Sequence, residues 1–563
     1  MDEERAPAGE PWRERYAHPC AWDQTFPPLA MTELFATSVA AHPQAPLADF
    51  YGRIYTYAQT MAEARSFAAG LQARGVGKGD RVGLFLPNVP IYLPAYFGAM
   101  IAGATVVNFS PLYTAEELEA QVVDSGTRIM VTLDAPALLP TAVQVLRESP
   151  LETLIVGHLA QMLPFAMSIG LRIFRRREIA PVPRAPDIVE WDAVLSPDEP
   201  EPVAIDPLTD LALLQYTGGT TGRPKGAMLT HQNLSANARQ IIEIDPHKDL
   251  ADRVVGVLPF FHVFANACVL GRTVLNGGCI AMLPRFQAKP TLATIQRVRA
   301  TAMPGVPTMY QALLDHPDLA TTDFSSLRVC VSGGAPLPAP VRIRFEEATG
   351  ARLVEGYGLT ETSGVVSSNP HDGEGRPGTI GQPLPGTRLR LLDKEDATRD
   401  APPGEPGELA ILGPQVMQGY WNRPDAAATA FTLRGGERWL RTGDIAVFEE
   451  DGYVRIVDRS KDMIAVGGFK VFPSVVEAML LQNPAVREAL VIGVADTYRG
   501  ESPRAFVTLH PEAEVTGEGL ATWLNERVGK HERVDRVVVR ESLPKTMVGK
   551  LDRKALREEI AAD

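Results

Sequence analysis

Two features of this 563-residue chain predict an α/β architecture. Short apolar runs alternate with helix-like runs through the first two thirds. A mainly parallel sheet with helices on its faces imposes that pattern. After about residue 378 the texture changes to short strands divided by Gly and Pro, and the last hundred or so residues carry a strand and helix set of their own. The length exceeds one ordinary domain.

In chain order, RVGLFLP (81–87), ATVVNF (104–109), RIMVTL (128–133) and ETLIVG (152–157) are apolar runs of strand length. Between them, TAEELEAQVVDSG (114–126) and APALLPTAVQVLRES (135–149) have helical composition. DRVVGVLP (252–259), GCIAMLP (278–284), ATAMPGV (300–306) and LRVCVSGG (327–334) continue the alternation, each ahead of a helical run. RLRLLD (388–393), GELAILG (407–413) and GYVRIVD (452–458) suggest a small β-rich subdomain. LVIGVA (490–495), RAFVTLH (504–510) and RVVVRESLP (536–544), with helices at 475–482 and 516–529, suggest a compact α+β domain. No fixed-period repeat is visible.

Lys plus Arg number 55 against 68 Asp plus Glu, a net charge of −13. Such a chain has no bulk electrostatic attraction to nucleic acid, although local basic patches stay open. Cys20, Cys268, Cys279 and Cys330 form no C-x-x-C pair, so neither a zinc site nor a disulfide framework is indicated and a reducing compartment is the simpler expectation. The charged N-terminus has no apolar signal core.

Val82 to Ala115 contains no charged residue and is long enough to span a bilayer. Pro87, Pro90, Pro94 and Pro111 break it, with Asn88 and Asn108 inside, so it reads as a buried strand, a buried helix at about 91–102 and a second strand. A second stretch, LAQMLPFAMSIGLRIFRRRE (159–178), is apolar in front and ends on Arg172, Arg175, Arg176 and Arg177. Pro164 suits the first turn of a helix. At 100° per residue Arg172 and Arg176 share a face with Phe165 and Ile169, so the amphipathicity runs along the axis. The alternatives are an obliquely inserted membrane contact and a plain surface helix.

The most chemically loaded segment is YTGGTTGRPKGAMLTH (216–231), which follows the apolar run LALLQ. Its glycines let backbone N–H groups approach phosphate oxygens, its Thr hydroxyls add donors, and Lys225 adds a charge. The Walker spacing is absent, since Gly226 follows the lysine. This segment closely resembles the phosphate loop of the adenylate-forming enzymes: acyl-CoA synthetases, luciferases and peptide-synthetase adenylation domains. LPFFHVFA (258–265), SGGAPL (332–337), EGYGLTE (355–361), LRTGD (440–444), DRSKD (458–462), GGFKVFP (467–473) and PKTMVGK (544–550) follow in family order.

The resemblance implies an adenylate-forming domain over 1–459, a hinge, and a small mobile lid over 460–563. It implies that Thr217, Gly218, Gly219, Thr220, Thr221, Gly222 and Lys225 hold ATP phosphates. Gly333, Gly334, Ala335, Glu355, Gly356, Tyr357 and Gly358 wall the adenine slot, and Thr360 meets the α-phosphate. Asp444, Ile456 and Arg459 lie at the ribose. Mg²⁺ would be held by Glu361 with Thr217; bound beside a nucleotide, Mg²⁺ needs only one or two carboxylates plus phosphate oxygens. Lys550 would be the adenylation lysine and Lys461 the pivot, completing with Thr217 and Glu361 the catalytic set. Taken alone, Lys550 is one of many surface lysines and Glu361 a solvated carboxylate; the motifs set them apart.

His262, Phe260, Gly305, Val306, Ser363 and Gly364 are assigned to the acyl substrate, and Gly467, Gly468 and Phe469 to the thioester face. His262 is read as lining the site, not as a general base. Amino-acid-activating relatives carry an Asp where Phe260 and Phe261 stand, which argues against an amino acid. The pattern looks most like bacterial long-chain fatty-acid–CoA ligases, using ATP, Mg²⁺ and coenzyme A. A fatty acyl-AMP ligase, an aryl-acid CoA ligase and a non-catalytic nucleotide- or lipid-binding protein are the rivals. A cytoplasmic protein is expected, with the inner face of a membrane (through 159–178) and a second copy of the chain as open partners.

Overall fold

The structure is a computed structural model and describes residues 10–217, 224–394, 396–459, 462–466, 469–496, 499–546 and 549–562. Two large sheets build the first part of the chain. One has eight strands, in the order Gly419–Tyr420, Lys225–Thr230, Leu211–Thr217, Thr105–Asn108, Arg81–Leu84, Ile129–Leu133, Thr153–Gly157 and Ile188–Glu190. From Leu211–Thr217 onward in that order the strands are parallel. The other has nine strands, with Arg253–Gly256, Cys279–Met282, Ala302–Gly305, Val329–Ser332 and Arg352–Tyr357 parallel at its centre. Its edge hairpin, Pro46–Phe50 with Arg53–Thr56, has no counterpart in the expectations above.

The uncharged 82–115 stretch is core. Its helix, Tyr92–Ile101, buries nearly every side chain, with Phe97 stacked on Phe35 at 4.0 Å between ring centres. A Cβ on Gly98 would stand 2.6 Å from the Ala64 carbonyl oxygen, so glycine lets this helix lie directly on Tyr57–Gln72. Among the described residues no helix is long and apolar enough to cross a membrane.

The β-rich part pairs Arg388–Leu392, Gly407–Leu412, Glu437–Phe448 and Phe431–Arg434, with Val454–Arg459 on the outer side of Glu437–Phe448. A separate five-stranded sheet follows, built on the long hairpin Val486–Asp496 and Gly500–Leu509. The main buried cluster runs from Trp12 to Val454, and the next begins at Ile464. Among the described residues no cluster draws buried side chains from both sides of residue 460.

The 159–178 segment is not one helix. Leu159–Met162 and Phe165–Phe174 are separated at Leu163, with Pro164 just ahead of the second helix and not within its first turn.

Candidate active site

Two paired strands flank the Gly-rich segment. Leu211–Thr217 and Lys225–Thr230 pair antiparallel, with Tyr216 opposite Gly226 and Thr217 opposite Lys225. Gly218, Gly219, Thr220, Thr221 and Gly222 lie outside the described residues. Thr217 and Lys225 are the paired ends of these two strands, Thr217 at the carboxyl end of a strand in the parallel set. Open α/β sheets bind ligands at such an edge. Tyr216 donates its hydroxyl to Asp124 at 2.6 Å, and Trp421 N–H is bonded to Gly226 O at 2.8 Å.

Lys225 and Glu361 meet through a residue the motifs do not name. Lys225 Nζ lies 5.2 Å from the centre of the Tyr420 ring, and Tyr420 donates its hydroxyl to Glu361 Oε1 at 2.7 Å. Burial first, and then the Glu361 charge, hold the Tyr420 phenol protonated far above its ordinary range. Glu361 sits in the single turn Thr360–Thr362 directly beyond Arg352–Tyr357. Close packing fixes this turn: a Cβ on Gly358 would fall 1.7 Å from Gly364 O, and one on Gly364 would fall 2.7 Å from the Ala267 methyl. Ser363 takes a left-handed φ of 59° and donates to Gln415 O at 3.0 Å. A turn with one carboxylate held in place by a phenol fits Mg²⁺ brought in with a nucleotide.

Asp444 and Arg459 face each other across paired strands, and Asp444 Oδ1 accepts from Arg459 Nε at 3.0 Å. Asp444 Oδ2 accepts the Tyr357 hydroxyl. Lys550 reaches the same place from the C-terminal domain. Burial, and then the Arg459 guanidinium, pull its ammonium down to about 8, with Asp444 acting in the opposite direction. Around this cluster Gly333 N–H bonds to Gly305 O at 3.1 Å, tying two neighbouring strands. Gly356 lies on the next strand, and Ala335 follows Gly334 in the loop beyond Val329–Ser332. Ile456 is half-buried on Val454–Arg459 and packs on the main core. Burial raises the Glu355 carboxyl to about 8.

His262 faces the other side of Lys550. A small cavity is lined by His262, Phe264, Ala265, Val306, Leu258, Pro259 and Lys550. His262 Nδ1 accepts the Phe264 N–H at 3.2 Å, which assigns the ring proton to Nε2. Burial, reinforced by Lys550, depresses the imidazole to about 3, so it is neutral. A neutral imidazole with that basicity can donate from Nε2 but does not serve as a base near neutral pH. Phe260 is fully buried, edge-on to Tyr92 at 5.3 Å, with its N–H bonded to Asn88 Oδ1 at 2.8 Å; Phe264, not Phe260, lines the cavity.

The C-terminal domain is seated on this face. Thr308 Oγ1 donates to Gly549 O at 2.9 Å, and Arg487 pairs with Asp315 at 2.9 Å. Asp462 accepts from Arg553 and Arg557 at 3.1 and 3.2 Å, and Arg553 also reaches Glu477 at 2.6 Å. Lys461, Gly467 and Gly468 lie outside the described residues, as does the side chain of Phe469.

The match to known proteins covers nearly the whole chain. A long-chain-fatty-acid–CoA ligase of Bacillus subtilis (strain 168) is 38% identical over 555 residues, 98% of both chains. A feruloyl-CoA synthase of an Amycolatopsis species is 37% identical, over 90% of this chain and 94% of that one. The crystal structure of ATP-bound MatB from Rhodopseudomonas palustris superposes with a TM-score of 0.80 at 29% identity, covering 94% of this chain and 99% of that one; its apo form gives 0.72. The profile described as AMP-binding enzyme matches residues 35–421, and the one described as AMP-binding enzyme C-terminal domain matches 475–550. With these matches, and with Lys550 beside the Asp444–Arg459 pair, the chain belongs to the AMP-binding enzyme family.

Proposed function

We propose that this protein is an ATP-dependent ligase that joins a medium- to long-chain fatty acid to coenzyme A through an acyl-adenylate. The observation that carries the reading is the place of Lys550, beside the Asp444–Arg459 pair and lining one cavity with His262, in a chain matched end to end by a long-chain-fatty-acid–CoA ligase.

In the first half-reaction the fatty carboxylate attacks the α-phosphorus of ATP and pyrophosphate leaves. In the second the CoA sulfur attacks the acyl carbon and AMP leaves. The carboxylate is already a nucleophile, so the protein contributes positioning and charge stabilisation. The phosphate-loop hairpin with Thr217 and Lys225 receives the phosphates. Asp444 has two carboxylate oxygens suited to ribose hydroxyls, with Tyr357 and Arg459 fixing its orientation. His262 donates from Nε2 toward the carboxylate, and Lys550 supplies positive charge at the reacting phosphate. Glu361, with Thr217, would hold Mg²⁺, which supplies charge neutralisation at phosphate oxygens.

The C-terminal domain seated on this face fits the first half-reaction, and the chain as a whole matches ATP-bound MatB better than the apo form. The second requires Lys550 to withdraw and the 467–469 segment to approach, by rotation about Lys461 between domains 1–459 and 460–563. Coenzyme A, and not a carrier protein, is the acceptor in this reading, and the enzyme acts in the cytoplasm.

The test is a product assay with ATP, a panel of carboxylic acids including palmitate and ferulate, and CoA present or absent. AMP, pyrophosphate and acyl-CoA from palmitate support the proposal. A preference for ferulate supports the aryl-acid reading favoured by the Amycolatopsis relative, and ADP as product refutes adenylate chemistry.

A further inference from the structure

We infer that the helix Phe165–Phe174, with the arginines that follow it, is a docking element for an anionic lipid surface. Of sixteen large exposed hydrophobic residues among those described, five lie in these ten positions: Phe165, Met167, Ile169, Ile173 and Phe174. Phe165 is 82% exposed and Phe174 84%. Leu171 is the one buried side chain of the helix and fixes its inward side. At 100° per residue the opposite side carries Ile169 and Ile173, with Phe165 beside them. The outward side thus carries Phe165, Ile169 and Ile173 with Arg172 at its edge, and the burial of Leu171 is what identifies it as outward.

The element is a fixed projection. Both of its ends are tied to Asp134: its carboxylate holds His158 Nδ1 and Leu159 N–H, each at 2.9 Å, and its carbonyl holds Ala180 N–H at 2.7 Å. Tyr55 donates to Met162 O at 2.9 Å, and Arg53 to Leu163 O at 3.3 Å. Beyond these ties the chain from Phe165 to Glu178 is exposed apart from Leu171 and the half-buried Ser168 and Gly170.

Charge decides the occupant. Arg172, Arg175, Arg176 and Arg177 stand against one carboxylate, Glu178, which pairs with Arg175 at 3.1 Å. This cluster belongs to a chain of net charge −13, so its partner must present negative charge beside apolar depth. An anionic bilayer does both, with arginines at the headgroups and Phe and Ile below them. A second copy meeting this face about a two-fold axis would set the four arginines against themselves. Ten helical residues span only about 15 Å, so the helix lies in the interface.

Its place in the sheet gives the contact a use. The connection after Thr153–Gly157 leaves at the same carboxyl edge as Thr217, the end of a strand four positions away. At a strand spacing of about 4.8 Å that is roughly 20 Å. A fatty acid leaving the bilayer would enter on the side where His262 and Lys550 lie. This use rests on the ligase reading; the docking itself does not.

The test is co-sedimentation of the full chain with vesicles of phosphatidylcholine alone or mixed with phosphatidylglycerol. Wild type, F165S/F174S, and R172Q/R175Q/R176Q/R177Q are compared, with circular dichroism confirming that each folds. Wild type should bind the anionic vesicles at about 0.1 M salt and lose most of that binding at about 1 M, where the Debye length falls to roughly 3 Å. F165S/F174S should lose binding at least ~10-fold, and the arginine variant should lose its preference for anionic vesicles. Failure of wild type to bind, or equal binding by all three proteins, overturns the proposal. So does a wild-type dimer that F165S/F174S converts to monomer in light scattering, which would make the face a contact between copies. Ligation of a soluble medium-chain acid, octanoate, unchanged in both variants, is scored separately. Its absence from all three proteins refutes the ligase reading and leaves the vesicle result standing.

Discussion

Lys550 fills the space where residue 334 would otherwise carry a side chain. A Cβ built on Gly334 would stand 2.3 Å from Lys550 Cε and 2.9 Å from Nζ, and Gly334 also takes a φ of +81°. Gly334→Ala therefore obstructs the lysine while leaving its chemistry intact. Pyrophosphate release should fall at least ~10-fold, up to the ~10²–10³-fold typical of losing one stabilising group. Acyl-CoA formation from supplied acyl-adenylate should stay within a few fold of wild type. Equal losses in the two half-reactions would detach Gly334 from the adenylation step.

The Lys550 ammonium, held to about 8 in the absence of nucleotide, should appear in the pH profile. Because kcat/KM reports the free enzyme, adenylation at limiting ATP should decline as pH rises through about 8, where Lys550 loses its proton. Lys550→Arg keeps its charge across that range and should remove the decline, whatever its absolute rate. A wild-type profile flat from pH 7 to about 9 would refute the assignment.

Tyr420→Phe deletes the hydroxyl that holds Glu361 Oε1. Outer partners of a metal-binding carboxylate affect affinity by ~10–100-fold, so the half-saturating Mg²⁺ concentration for pyrophosphate release should rise by about 10-fold. The unfolding free energy should fall by no more than about 1.5 kcal/mol, the net worth of one hydrogen bond. An unchanged Mg²⁺ requirement would separate Tyr420 from the metal.

Acid should unfold the protein through its histidines. Burial lowers His18 and His231 to about 4 and His262 and His371 to about 3, all below the ordinary 6.5. The unfolded chain binds these protons first, so their contribution is fully present above pH 6.5 and is lost as pH falls from there toward 4 and 3. Each proton taken up on unfolding contributes about 1.4 kcal/mol per pH unit, so four give a slope near ~5 kcal/mol per unit. Urea midpoints at pH 7.5, 6 and about 5 measure it; a flat profile would mean that these imidazoles are not held neutral.

Most strands and the order of the motifs could be read from the sequence because apolar runs of strand length and Gly-rich turns are local signals. Contacts that join distant segments could not. Tyr420 stands in a short segment, 419–420, with no periodicity, yet it bridges Lys225 and Glu361. Nor could the sequence decide among Phe260, Phe261 and Phe264. The chain bends at His262, and the helix beyond it runs into a π-helical turn at Asn266–Gly271, which shifts the phase of its faces. The Phe165–Phe174 helix failed differently: 3.6-residue geometry gives relative directions, and only the burial of Leu171 says which direction is inward.

Arg459, paired with Asp444 and assigned to the ribose in the proposed reaction, is also the last residue of its strand, immediately before the proposed hinge. In that proposal, grip on the nucleotide and the start of the hinge share a residue. Any ligand that tightens the pair in one domain arrangement shifts the equilibrium between arrangements by the same free energy, and the arrangement returns it as affinity. ATP, acyl-adenylate and AMP present the same ribose but different charge beside it. Under the proposed mechanism each would set its own balance between the two arrangements, and the progress of the reaction would itself be the signal that repositions Lys550.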